Sequence, residues 1–154
     1  MTQQFNFYDQ CLQEYDTEVY DWLMDLFDLL PISAVVCGQY ICMHGGISAE
    51  LTSLSAINKI DRRQEPPDDG LLCDLLWADP SDAKHCGKDY IFNEKRQISY
   101  IFGKRPVMKL LEKEKLKSIV RAHEMKQKGY KFHLWNGKDE FPPVITVFSA
   151  PNYS

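Results

Sequence analysis

Two segments of the chain alternate apolar and polar residues with a helical period. The first, residues 17–31, is predicted as an amphipathic helix that Thr17 caps and Pro31 ends. Its apolar face comprises Tyr20, Leu23, Phe27 and Leu30. The second, residues 105–117, starts near a proline and carries charges on its exposed side. Residues 51–60 indicate a weaker helix.

Short apolar runs separated by turn residues predict the strands. Residues 32–46 contain two such runs around Gly38, and further runs lie at 99–103, 118–124 and 130–135. The last of these forms a predicted hairpin with residues 144–154 across a turn at 136–140. Residues 73–97 are rich in Asp, Pro and Gly and predict a long irregular loop. This order favours an α/β fold, a layered mixed β-sheet with flanking helices.

Composition narrows the class of protein. The chain has 154 residues, 44% hydrophobic and 26% charged, which is typical of one soluble globular domain. A net charge of −4 argues against a nucleic-acid partner, and no apolar run reaches membrane-spanning length. The start lacks the pattern of a signal peptide. Five cysteines without a C-x-x-C pair favour a reducing compartment, so we expect a cytoplasmic protein.

Two histidines stand where ligand sites form in α/β sheets. His44 and His123 each follow an apolar run and precede a loop, and they are 79 residues apart. Neutral imidazoles at neighbouring strand ends would suit a metal ion, whereas a lone histidine is more often structural. His85 and His133 lack this setting and are expected to be structural or exposed. The residues alone therefore leave a metal-binding domain and a purely structural role both open.

Four motifs together resemble the serine/threonine phosphoprotein phosphatases. They are HGGIS at 44–48, LLCDLLWADP at 71–80, RAHE at 121–124 and SAPNY at 149–153. Three longer segments look most like the calcineurin branch: residues 19–36, 65–70 and 141–153. The resemblance runs from about Phe5 to the last residue. It implies a fold like half of a calcineurin-like metallophosphoesterase sandwich, and hydrolysis of phosphoserine and phosphothreonine on proteins.

The resemblance also implies roles for particular residues. His44 and His123 match two ligands of one ion in a site of two metals, which would be Fe, Zn or Mn. Arg96 matches the arginine that binds the substrate phosphate, and Tyr153 matches a tyrosine that lines the cleft. Read without the resemblance, Trp77 is a core anchor and Asp79 a hydrogen-bond acceptor. Glycines 45 and 46 are expected to leave room for the metals and the phosphate.

Some family motifs are not in these 154 residues. G-D-x-H-G, G-D-x-x-D-R-G and G-N-H-E do not occur, Gln97 stands where glycine is common, and Ala49 replaces a usual proline. We therefore expect residues 1–154 to be the C-terminal part of a catalytic domain whose N-terminal half is missing. Regulatory partners, a calcineurin-B-like calcium-binding subunit and calmodulin, would bind through regions outside this chain. The alternative is a non-catalytic fragment that acts only as a protein-binding module.

Overall fold

The structure is a computed structural model that describes residues 2–82, 87–135, 140–151 and 153. The chain forms two compact units. The first comprises Met1–Pro31 and Asp61–Glu65, and the second comprises Ile32–Ile60 and Pro66–Ser154. No helix in the described part of the chain combines the length and the apolar character that a membrane span needs.

Two helices make up most of the first unit: α1 (Phe7–Glu14) and α2 (Thr17–Leu29). The predicted helix is confirmed, but its N-cap is Asp16, whose carboxylate accepts a hydrogen bond from the Val19 amide at 3.0 Å. It ends where Leu30 turns to an extended conformation before a proline. Aromatic rings join α1 to α2, with Phe7 and Tyr8 packed against the buried Tyr20. Phe27 and Leu30, expected on the buried face, are exposed.

A mixed five-stranded sheet is the centre of the second unit. Its strand order is β1-β2-β6-β8-β7, in which β2, β6 and β8 run parallel and the two edge strands are antiparallel to their neighbours. The strands are β1 (Ser33–Val36), β2 (Tyr40–Met43), β6 (Ser118–Arg121), β7 (Tyr130–His133) and β8 (Val144–Val147). Cys37 and Gly38 both have positive φ in the tight turn between β1 and β2. The predicted β7–β8 hairpin is confirmed, and its turn lies partly outside the described residues.

A smaller sheet and three helices complete this unit. The sheet has the order β3-β5-β4, built from Asp79–Pro80, Tyr100–Phe102 and Tyr90–Phe92 respectively. The helices are α3 (Leu54–Ile57), α4 (Gly70–Trp77) and α5 (Lys104–Glu114). The prediction that residues 73–97 are irregular is wrong where they form the end of α4 and strands β3 and β4. Packing stabilises the short helix α4, because Leu72, Cys73 and Leu75 are buried.

The core lies on one face of the five-stranded sheet. Ile41, Ile119 and Val144 stand side by side on β2, β6 and β8 and are fully buried. Val107, Leu110 and Leu111 of α5 join the same cluster, as expected for the apolar stripe of an amphipathic helix. This packing holds β2 and β6 in register, so the ends of both strands reach the same edge of the sheet.

Candidate metal centre

His44 and His123 meet at the carboxyl ends of β2 and β6. The two strands are parallel neighbours with Met43 opposite Arg121, and the Ala122 amide donates to the His44 carbonyl at 3.0 Å. Nε2 of His44 lies 3.0 Å from Nδ1 of His123, and the ring centroids are 5.0 Å apart. The structure therefore brings together two residues that are 79 positions apart, as adjacent parallel strands require.

The arrangement of the two imidazoles fits a shared metal ion. Two nitrogens that each lie about 2.1 Å from one ion, at right angles, are about 3.0 Å apart. Nε2 of His123 is buried and has no hydrogen-bond partner among the described residues. The same 3.0 Å separation also fits an N–H···N hydrogen bond between the rings. The described residues contain no group of three or more His, Cys, Asp or Glu side chains placed to hold a metal.

Both imidazoles are held in the neutral form, which is the form that binds metals. Burial lowers the pKa of His123 to about 4, and the positive charge of Arg96 acts in the same direction. Burial and the charge of Arg121 also lower the pKa of His44, which is more exposed than His123. Neither ring needs to lose a proton at neutral pH before it binds a cation.

His123 occupies a strained backbone position. Its φ is 55°, in the left-handed region that a non-glycine residue rarely adopts. The indole ring of Trp77 packs edge-on against its imidazole, with centroids 5.2 Å apart. Trp77 is half-buried and contacts the candidate ligand, so it is more than the core anchor that was expected. Strain of this kind persists where surrounding contacts over-determine the conformation, as they do here.

Asp79 connects the two arginines beside the histidines. Its Oδ2 accepts from Arg96 Nε at 3.0 Å and from Asn93 Nδ2 at 3.0 Å, and its Oδ1 accepts from Arg121 Nη2 at 2.8 Å. Burial raises the pKa of Asp79, but the hydrogen bond from Arg96 and the charge of Arg121 outweigh it and hold the pKa below its ordinary value. The expected role of Asp79 as a hydrogen-bond acceptor is confirmed.

Arg96, predicted to bind phosphate, lies at the edge of this cluster. Its Nη2 donates to the His123 carbonyl at 3.1 Å, so the guanidinium stands directly beside the strained histidine. Nη1 donates to no residue in the described part of the chain, and the side chain remains partly exposed. Gln97, at the position where glycine is common in the family, has a φ of 58°. A glycine would adopt this conformation without strain, which explains the family's preference.

Arg121 is a residue that the sequence analysis missed. Its side chain is fully buried and donates to four acceptors in three segments of the chain. They are the Gly45 carbonyl at 2.6 Å, the Ala78 carbonyl at 3.1 Å, Asp79 at 2.8 Å and Glu124 at 2.8 Å. The sequence does contain a signal for this role: Arg121 stands inside an apolar strand, where a charged side chain must find buried partners. Arg121 thus links the loops that follow both histidines.

The two glycines after His44 serve a purpose other than the predicted one. A Cβ on Gly45 would lie 2.4 Å from the carbonyl carbon of Leu76, and one on Gly46 would lie 2.1 Å from the ring of Phe102. The amide of Gly45 also donates to the Leu75 carbonyl at 2.8 Å. The expectation that these glycines leave room for metals and phosphate is therefore wrong, since the space belongs to α4 and β5.

The remaining candidate residues lie apart from the two histidines. Tyr153 is 65% exposed and packs edge-on against Phe148 at 5.1 Å, in a pocket of about 360 Å³ that Met125 and Lys126 also line. Its assignment to the cleft stays a prediction. His133 is buried with Nε2 2.9 Å from the Thr146 hydroxyl, consistent with a structural role. His85 lies outside the described residues.

Known proteins similar to this chain agree with the geometry. Residues 6–127 match the family model described as calcineurin-like phosphoesterase. Two Saccharomyces cerevisiae proteins are similar over 99% of this chain: serine/threonine-protein phosphatase 2B catalytic subunit A1, at 42% identity, and catalytic subunit A2, at 37% identity. The chain spans 30% of the length of each.

A solved structure has the same fold. It is the structure of a protein serine/threonine phosphatase from Saccharomyces cerevisiae with similarity to human phosphatase PP5. The TM-score is 0.80 at 33% sequence identity, and the match covers 96% of this chain and 43% of that one. The mixed α/β architecture is therefore one that a known phosphatase shares.

Proposed function

The chain belongs to the calcineurin-like phosphoesterase family, and on that premise we propose that it forms part of the catalytic centre of a metal-dependent serine/threonine protein phosphatase. The observation that carries the proposal is the convergence of His44 Nε2 and His123 Nδ1, 3.0 Å apart at the ends of two parallel strands. The similarity to two yeast phosphatase catalytic subunits supports the same reaction class.

In this proposal each residue has a separate task. His44 and His123 bind one of two metal ions, Fe, Zn or Mn, and such ions would supply an activated water and neutralise phosphate charge. Arg96 binds the phosphate of a phosphoserine or phosphothreonine, because a guanidinium stays charged and matches phosphate oxygens in pairs. Asp79 orients that guanidinium, and Arg121 holds the loops of both histidines in place. Tyr153 lines the cleft.

The proposal extends to substrates, location and partners. Phosphoproteins are the substrates, and the reducing cytoplasm is the compartment, which the four free cysteines in the described residues suit. Binding of a calcineurin-B-like subunit and of calmodulin stays a prediction about regions outside these 154 residues. So does the expectation that the 154 residues form the C-terminal part of a larger catalytic domain.

Metal binding tests the proposal directly. The chain is titrated with Mn²⁺, which prefers oxygen and nitrogen ligands and so avoids the cysteines, and free Mn²⁺ is followed by its EPR signal. We expect weak binding that His44→Ala and His123→Ala both abolish, because each removes half of the donor pair. His133→Gln is the matched control, since it removes an imidazole elsewhere. Equal Mn²⁺ binding by all four proteins would contradict the proposal.

Turnover tests how much of the centre these residues supply. We expect negligible hydrolysis of a phosphothreonine peptide by this chain with Mn²⁺, Fe²⁺ or Zn²⁺, since three or more protein ligands are normal for a catalytic metal. Robust turnover that His44→Ala abolishes would show that the 154 residues form a complete site.

A second candidate is a non-catalytic protein-binding module. The observation that favours it is a positively charged pocket beside α5, whose lining includes neither His44 nor His123. The Mn²⁺ titration separates the candidates, because a module that only binds proteins would show no Mn²⁺ site that depends on His44.

A further inference from the structure

A second pocket lies on the second unit, between α5 and the loop that follows HGGIS. Its volume is about 410 Å³, within the range of sites that hold a small ligand or an anchoring side chain. It is lined by Ile47, Ser48, Ala49, Leu51, Thr52, Asp89, Tyr90, Arg105, Pro106, Lys109, Leu110 and Lys113. His44, Arg96 and His123 are not among these residues, so the pocket is separate from the candidate metal centre.

One wall of this pocket is a row of positive charges. Arg105, Lys109 and Lys113 follow one another at intervals of four residues and therefore share one face of α5. Like charges at this spacing repel one another and weaken an isolated helix. Arg105 lies in the first turn of α5, which contains no acidic residue, so its charge also opposes the positive end of the helix dipole, whereas Lys113 lies in the last turn. The arrangement favours an external anion.

The lining residues only partly neutralise this charge. Asp89 forms two hydrogen bonds with the Arg105 guanidinium, both at 2.6 Å, and it is the one acidic residue in the lining. Three cations and one carboxylate leave a charge of +2 in the pocket. The Lys113 ammonium donates to the Thr52 carbonyl, which a cation can do while it also binds an anion. Lys109 is exposed to solvent.

The floor of the pocket is apolar and well supported. Ile47 and Leu110 are buried there, beside the half-buried Leu51 and the ring of Tyr90. The Tyr90 hydroxyl donates to the Ser48 carbonyl at 3.1 Å, and Ser48 Oγ donates to Asp74 at 2.6 Å. A preformed apolar floor under a cationic wall matches a ligand with one apolar group and negative charges on one side.

We propose that this pocket is a docking site for an acidic peptide segment of a partner protein. One apolar side chain of the peptide enters between Leu51 and Leu110, and neighbouring Asp or Glu side chains contact Lys109, Lys113 and Arg105. Charge complementarity is the argument for this occupant, because a local charge of +2 stands on a chain whose net charge is −4. The proposal does not depend on catalysis, so it can fail while the phosphatase assignment holds.

Fluorescence anisotropy with a labelled peptide of alternating Asp and Glu around one leucine tests the site. We expect the Lys109→Glu/Lys113→Glu double variant to bind at least about tenfold more weakly, because two attractive charges become repulsive. Ala49→Trp fills the pocket without a change of charge and is expected to weaken binding by a similar factor. Replacement of the leucine by serine in the peptide should also weaken binding. Thermal unfolding shows whether each variant is folded, and Lys109→Glu alone serves if the double variant is not.

The matched control makes the same change of charge elsewhere on the second unit. Lys117→Glu/Lys128→Glu alters two exposed lysines that do not line the pocket, and it should bind the acidic peptide nearly as well as the unchanged chain. Equal loss in both double variants would reveal non-specific attraction and overturn the proposal. So would equal binding of an Asn/Gln version of the peptide. Tighter lysine-dependent binding of a poly(U) RNA than of the acidic peptide would also overturn it.

Discussion

At the scale of single residues, Arg121 holds the candidate site together. Its buried guanidinium connects the loop after His44, the Ala78–Asp79 segment and Glu124, which follows His123. A buried ion pair contributes little net stability, but loss of one partner leaves charges and carbonyls without compensation. Arg121 therefore acts on the histidines by holding their loops in position.

Arg121→Met should lower the free energy of unfolding by roughly 3–5 kcal/mol, since it leaves Asp79 buried without one of its two arginine partners. The measurement is urea unfolding followed by fluorescence, together with Mn²⁺ binding, which we expect to weaken. Arg105→Met is the matched control, because the Arg105–Asp89 pair is exposed, and it should leave stability nearly unchanged. Similar losses in the two variants would contradict the role assigned to Arg121.

His133 makes stability depend on pH independently of the metal ligands. Burial lowers the pKa of His133 to about 3, and the charge of Lys131 adds to the effect. The unfolded histidine titrates near 6.5, so acid favours the unfolded state as pH falls from about 6.5 towards 3. The contribution lost between pH 7 and pH 4 is about 3 kcal/mol. His133→Gln should remove this dependence. The free energy of unfolding, measured in urea for the unchanged chain and for the variant, should therefore fall with pH more steeply in the unchanged chain. A constant difference would count against it.

At the scale of elements, α4 determines the shape of the HGGIS loop. The amides of Gly45 and Gly46 donate to the carbonyls of Leu75 and Asp74 near the end of this helix. The carboxylate of Asp74 accepts from Ser48 and Ser99, both at 2.6 Å. Strand β2 therefore fixes the backbone before His44, and helix α4 fixes the backbone after it.

Gly45→Ala should destabilise the second unit by about 1–3 kcal/mol, because its Cβ would overlap the backbone of α4 rather than a movable side chain. Urea unfolding and Mn²⁺ binding are both expected to weaken. Gly38→Ala is the control for backbone strain alone: its φ is +64°, yet no atom lies within 4 Å of the added Cβ. Intact Mn²⁺ binding in Gly45→Ala would show that the loop tolerates displacement of the helix.

At the scale of the whole molecule, the second face of the five-stranded sheet is apolar and only partly buried. The pairing places Ala34, Cys42, Val120, Ile145 and Phe132 in one row across the five strands. The three central residues of the row are half-buried, and both of its ends are exposed. Contiguous apolar surface of this kind promotes association.

Phe132→Glu should reduce concentration-dependent aggregation and the binding of a dye such as ANS, because it places a charge within the apolar row. Light scattering at increasing protein concentration is the measurement. Phe92→Glu is the control, since Phe92 is 52% exposed against 51% for Phe132 but lies on the smaller sheet. Equal improvement in both variants would mean that general charge, and not this row, limits solubility.

The local pattern of the chain determined most of the helices and strands, and it identified the two histidines proposed to bind a metal. The period of apolar residues predicted α2 and α5, and the short apolar runs predicted the strands of the five-stranded sheet, because these signals depend on near neighbours. The family motifs mark His44 and His123 from the sequence alone. They also marked Arg96, whose guanidinium lies at the same cluster, while its role and that of Tyr153 stay predictions.

Only the tertiary structure decided what surrounds those residues. Helix α4 is short and forms because packing stabilises it. Glycine is required at positions 45 and 46 because residues about 30 and 56 positions away crowd the space that a side chain would need. Arg121 holds the site together through hydrogen bonds to three segments of the chain. The pairing of β2 with β6 brings two imidazoles from 79 residues apart to 3.0 Å. The physical reason is common to all of these: a local pattern specifies which side chains are apolar and how often they recur, whereas contacts between distant segments arise only when the core packs.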